Sequence, residues 1–208
     1  MLNRDAAPGP SPTVPSARPT PAPPTGRSRA LEVGRRPSLV LAVASVGGLV
    51  MFLWPLLVSP PDEVGHVTDA PFVFALILPV VIAVVLSELH SGDIDTKALA
   101  MLGVLTAIGA ALRPMGAGVA GLETVFFLLV LAGRVYGAGF GFVLGTTTMF
   151  TSAILTGGIG PWLPFQMMAS GWVGLGAGLL PDSIAGRALR GRTEIAVLAL
   201  YGAVAAYA

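Results

Sequence analysis

The 208-residue chain contains no cysteine, which excludes disulfides, thiolate metal sites and a cysteine nucleophile. Charge is scarce as well: Asp, Glu, Lys and Arg together make 11% of the residues, and Lys97 is the one lysine among twelve basic residues. That preference for arginine, with abundant Ala, Gly and Pro, points to a GC-rich bacterial source. The two histidines, His66 and His90, fall in loops read below as lying on opposite membrane faces, so they cannot share a metal. No spacing matches a zinc, P-loop or dinucleotide motif, and there is neither a nucleophile elbow nor a pair of carboxylates at a recognisable interval. The glycine-rich "GAGFGFVLG" follows no strand and lies in an apolar helix, so it is not a nucleotide fingerprint. No catalytic residue, metal site or cofactor is expected.

What the chain has instead is apolar length. Hydrophobic residues make 54% of it and its mean hydropathy is +0.80, outside the range of soluble domains. Apolar stretches of roughly 20 residues between short polar breaks read as transmembrane helices, because a backbone in lipid must satisfy its own hydrogen bonds. Barrel strands would alternate in polarity, and these stretches do not. The expected fold class is an all-α, polytopic membrane helix bundle with about seven spans: 37–58, 71–89, 98–112, 119–135, 140–155, 164–180, and 195 onward. The last, "EIAVLALYGAVAAYA", reads as a spanning helix cut short. Residues 1–36 form a Pro-, Ser- and Thr-rich arm with too little apolar surface to fold, expected to be disordered and cytoplasmic.

Charge placement sets the expected orientation. With the N-terminus inside, Arg4, Arg18, Arg27, Arg29, Arg35, Arg36, Lys97, Arg134, Arg187, Arg190 and Arg192 are cytoplasmic and only Arg113 is outside. This is the positive-inside bias. The first outside loop, "SPPDEVGHVTDA", is acidic and lacks Lys and Arg, in agreement.

Membrane helices associate by close packing and hydrogen bonds, since lipid is as apolar as leucine. Small residues four apart are therefore informative, and three stripes carry them: Gly103, Ala107 and Ala111; Gly141 and Gly145, continued by Thr148 and Ser152; and Ser170, Gly174 and Gly178. Each stripe fits packing within the chain or a surface for a partner helix. The third span, with Gly103, Ala107 and Ala111, is the best candidate for a partner surface.

Polar groups inside apolar stretches are the candidate site residues. Arg113 ends the third span and Glu123 lies about one turn into the fourth; a charge at the bilayer centre costs roughly 2.5 to 3.5 kcal/mol, so Glu123 should not face lipid. A structural Arg113–Glu123 pair, contact with a ligand, and proton relay all remain open. Trp162 sits where an interfacial aromatic would, between prolines 161 and 164 that confine a tight outer turn. The amide of Gln166, about one turn into the next helix, needs partners either in neighbouring helices or in a ligand. Of the hydroxyls at Thr146, Thr147, Thr148, Thr151 and Ser152, most should bond back to the backbone or across to another helix.

In the order "ALAMLGVLTAIGAALRP", "AGLETVFFLLVLAGRVYGAGFGFVLG" and "LTGGIGPWLPFQMMASGWVGLGAGLLP", the second half of the chain resembles the substrate-binding S components of energy-coupling factor (ECF) vitamin transporters. "GPWLPFQM" is similar to a "GPWTPWQM"-type turn in a branch often linked to cobalamin-like compounds, with Leu163 and Phe165 where that branch more often has Thr and Trp. The Gly103, Ala107, Ala111 stripe is similar to the Ala-x-x-x-Ala surface by which S components meet their coupling protein. The resemblance implies a six-helix core of which residues 98–208 hold five, with the first two spans, 37–89, as additions. It implies a vitamin bound on the outside by Arg113, Glu123, Trp162 and Gln166. The implied partners are a transmembrane coupling protein and two cytoplasmic ATPase subunits in a bacterial plasma membrane, with no nucleic acid. Two other classes stay open: an enzyme acting on a lipid or prenyl group, and a membrane scaffold using the stripes alone.

Overall fold

A computed structural model describes residues 35–57, 78–79, 82–83, 85–87, 96–116, 124–184 and 186–207. The Pro-rich arm up to residue 34, both histidines and Glu123 lie outside these residues, as does most of the second predicted span. The described chain is mostly helical: α1 (Arg35–Leu57), α2 (Thr96–Gly116), α3 (Val125–Tyr136), α4 (Ala138–Thr156), α5 (Leu163–Leu179) and α6 (Arg192–Tyr207), with a two-residue antiparallel ladder, β1 (Ser183–Ile184) with β2 (Arg187–Ala188), between the last two. Among the described residues, two helices are long and apolar enough to cross a membrane: Thr96–Met115 within α2, and α4.

α3 is shorter than the predicted span over 119–135. Its twelve described residues reach about 18 Å at 1.5 Å per residue, against an apolar layer of roughly 30 Å.

The chain's punctuation explains the helix ends. A single residue, Gly137 at φ 104°, joins α3 to α4, and its N–H bonds to the Gly133 carbonyl at 3.0 Å. That positive φ is open to glycine at no steric cost. α4 closes on Gly157 in the left-handed conformation (φ 67°), with Gly158 N–H on the Ala153 carbonyl at 2.9 Å, a glycine cap that satisfies carbonyls left over at the helix end. Pro164 then falls in the first turn of α5, where its missing N–H costs nothing.

α4 is the centre of the bundle. Phe140, Phe142, Val143 and Leu144 are fully buried, and α2, α3 and α5 surround them. The second and third small-residue stripes lie against one another. A Cβ on Gly141 would overlap the Gly174 carbonyl, and one on Gly145 would overlap the Ser170 carbonyl. Gly133 of α3 reaches the same Gly174 carbonyl, so three helices cross at Gly133, Gly141 and Gly174 with no side chain between them. Backbones at this separation gain dispersion contacts along their whole facing surfaces, the close packing on which helix association in an apolar medium depends.

α1 is fastened to the far side of α5. Trp172 donates its indole N–H to Ser45 Oγ at 3.1 Å, and Phe52 sets its ring edge-on to Phe165 with centroids 5.1 Å apart. α6 is held by Tyr201, whose hydroxyl donates to the Val173 carbonyl at 2.8 Å.

The exterior of these helices is apolar. Leu39, Val43, Val46, Val104, Phe127, Leu155, Ile195 and Leu200 are all exposed, while Thr146, Thr148, Ser152, Ser170 and Arg134 are buried.

Candidate functional site

The predicted site residues fall at the end of the bundle where α2 finishes and α5 begins. Arg113 lies in the last turn of α2 and donates an N–H from its guanidinium to Gln166 Oε1 at 3.0 Å. Gln166 sits in the first turn of α5, 53 residues later, so the bond ties two helices that are not neighbours in sequence. A hydrogen bond to a charged donor contributes about 1.5 to 3 kcal/mol, enough to fix both side chains. Trp162 precedes α5 and is 55% exposed, its ring folded over Gly160. The structure thus joins Arg113 to Gln166 and leaves Trp162 at the rim; Glu123 lies outside the described residues.

Beneath this pair lies a group of hydroxyls. α2 and α4 run in the same direction, and Thr106 meets Thr147 hydroxyl to hydroxyl at 3.0 Å. A little further along, Gly109 of α2 faces Thr148 of α4, and one more turn outward brings Arg113 and Ser152 to the same level. Thr146, Thr147 and Thr156 bond back to carbonyls three or four residues earlier, as expected of a helical threonine. Thr148 and Ser152 do not. Arg113 Nε, Thr148 Oγ1 and Ser152 Oγ are the buried side-chain polar atoms without a partner among the described residues. An unpaired buried donor or acceptor costs about 1 to 3 kcal/mol, so three of them within about one turn of a bundle are a substantial local penalty. Sequence reasoning placed Thr148 and Ser152 both in a packing stripe and among five hydroxyls expected mostly to bond to the backbone or to another helix, and nothing in the sequence set these two apart.

The residues predicted for a partner surface occupy one face of α2. Gly103, Ala107 and Ala111 are exposed, and a Cβ on Gly103 would meet nothing within 4 Å. Leu99, Val104 and Ile108 flank them, also exposed.

A second polar centre, at the opposite end, escaped the sequence reading, which counted Arg134 only among the cytoplasmic basic residues. The structure buries it at 6% exposure in the last turn of α3. Its Nε donates to Glu194 Oε1 of α6 at 3.1 Å, one terminal nitrogen donates to the Leu180 carbonyl at 2.7 Å, and the other lies 3.1 Å from Asp182 Oδ1. The planar guanidinium fork suits this multiple attachment, and the end of α3, the exit of α5 and the start of α6 are joined through it. Among the described residues no three His, Asp or Glu side chains gather as a metal site would require. The chain matches none of the protein-family models, curated proteins or solved structures with which it was compared.

Proposed function

We propose that the chain is the substrate-binding subunit of an ECF-type importer, embedded in a bacterial plasma membrane, and that it takes up a vitamin or related small molecule with energy supplied by separate ATPase subunits. The observation that carries this reading is the Arg113–Gln166 bond at one end of an otherwise apolar bundle, next to buried polar atoms that no group among the described residues satisfies. A few oriented polar groups within apolar walls are the ordinary make-up of a small-molecule site.

A polytopic membrane architecture is supported by the inverted surface: large aliphatic side chains point outward while an arginine and several hydroxyls are held inside. In water such an exterior would exceed the apolar patches that monomeric proteins tolerate. The open face of α2 at Gly103, Ala107 and Ala111 fits the coupling protein, because the other two stripes are consumed by α4 and α5.

Calorimetric titration of the purified chain with a panel of vitamins tests the reading, together with co-purification of a coupling protein and ATPases from a host carrying them. Binding that weakens about tenfold or more in Gln166→Leu supports it. A chain that binds none of the panel and never co-purifies with a coupling protein is not such a subunit.

A further inference from the structure

The three unpartnered atoms are best understood together. α5 runs antiparallel to α4, with Gly174 beside Gly141 and Ser170 beside Gly145. Four residues further along each helix, this register places Gln166 beside position 149, between Thr148 and Ser152. α2 meets α4 at Gly109 and Thr148, so its next turn brings Arg113 over Ser152. Arg113, Gln166, Thr148 and Ser152 therefore converge within one helical turn, from three helices.

Their hydrogen-bonding capacity is lopsided. Gln166 Oε1 occupies one terminal nitrogen of Arg113, and the Nε–H remains buried and unused. The hydroxyls of Thr148 and Ser152, both 0% exposed, can each donate a proton and have not turned back to their own helix as Thr146 and Thr147 have. The group offers a positive charge and a surplus of donors, and among the described residues no carboxylate answers Arg113. An anionic oxygen acceptor would complement this group. A carboxylate fits: its two oxygens accept several hydrogen bonds at once and complement the guanidinium charge.

We infer that Arg113, Thr148 and Ser152 form the anchoring point for a carboxylate group on the transported molecule, with Gln166 positioning the Arg113 guanidinium. The inference rests on the substrate-binding reading above and narrows it to carboxylate-bearing small molecules. A ligand carboxylate would satisfy buried atoms that no described residue satisfies, so its binding removes a local penalty as well as adding hydrogen bonds.

The test compares the purified chain with the Thr148→Val, Ser152→Ala double variant, which removes both hydroxyls at nearly constant volume. Biotin, pantothenate and nicotinate are titrated calorimetrically, each beside its methyl ester, along with uncharged riboflavin and cationic thiamine. The expected result is heat from one of the carboxylates, binding about tenfold or more weaker for its ester, and a loss of about tenfold or more in the double variant. The unliganded double variant should melt at a higher temperature than the parent, since two unpaired hydroxyls have gone. A lower melting temperature means the hydroxyls were already paired and overturns the assignment. Binding of riboflavin or thiamine that is unchanged in the variant overturns it too, while leaving the receptor reading intact. Silence from all five vitamins also overturns the carboxylate assignment, and co-purification with a coupling protein then decides the receptor reading separately.

Discussion

Arg134 Nε lies 3.1 Å from Glu194 Oε1, joining side chains 60 residues apart, both largely withdrawn from solvent. The same guanidinium holds the Leu180 carbonyl and Asp182, so one arginine fixes the exit of α5 and the start of α6 against α3. Gly137 follows three residues later, which makes this end of the bundle a rigid corner between α3 and α4.

Replacing Arg134 by Met should destabilise the bundle by about 3 to 5 kcal/mol, because it breaks a buried ion pair with Glu194 and strips the Leu180 carbonyl of its donor. Asp182 is 63% exposed, so Asp182→Asn should cost within about 1 kcal/mol. Thermal unfolding in detergent gives the order, with Glu194→Gln between the two; equal effects of Arg134→Met and Asp182→Asn would contradict the hub.

Gly174→Val should separate α4 from α5. Its Cβ would overlap the Gly141 carbonyl, which is backbone and cannot step aside, and overpacking of this kind costs about 1 to 3 kcal/mol or more. Gly103→Val meets open space and should change stability within about 0.5 kcal/mol. Melting temperatures of the two variants separate a consumed stripe from an open one.

On the proposed function, Gly103→Leu with Ala107→Leu should leave the chain folded and abolish co-purification with a coupling protein, because bulk on a smooth helix face prevents close approach. Retained association in a folded variant would move the partner surface elsewhere.

The contact between Trp172 and Ser45 should couple by about 0.5 to 1.5 kcal/mol in a cycle of Trp172→Phe, Ser45→Ala and the double variant. Unfolding free energies supply the readout. A coupling of zero would show that α1 is held by ring packing at Phe52 alone.

The orientation expected from charge placement puts Ala188, in β2 shortly before α6, on the cytoplasmic side. Because the chain has no native cysteine, Ala188→Cys gives a single label site, expected to resist an impermeant thiol reagent in intact cells and to react once they are opened. Labelling in intact cells would reverse the orientation.

Much of the helical layout was legible in advance. The predicted stretches 98–112, 140–155 and 164–180 correspond to α2, α4 and α5 with ends shifted by a few residues, because apolar runs bounded by Gly157, Pro161 and Pro164 leave the backbone few alternatives. Small residues spaced by four marked faces of close approach for the same reason. The sequence singled out the Gly103, Ala107, Ala111 stripe as the best candidate for a partner surface, but only the packing of α4 on α5 separates the consumed stripes from the exposed one.

The sequence by itself determined an apolar helical chain, without thiol chemistry, in which Arg113 and Gln166 had to find polar company. Tertiary structure decided which company. Helix register brought Gln166 to Arg113 and buried Thr148 and Ser152 without a partner among the described residues, whereas Arg134 became a hub through contacts 46 to 60 residues away. A side chain's capacity for hydrogen bonds is written in its chemistry. Whether that capacity is used depends on distances between helices, and those are set only when the bundle closes.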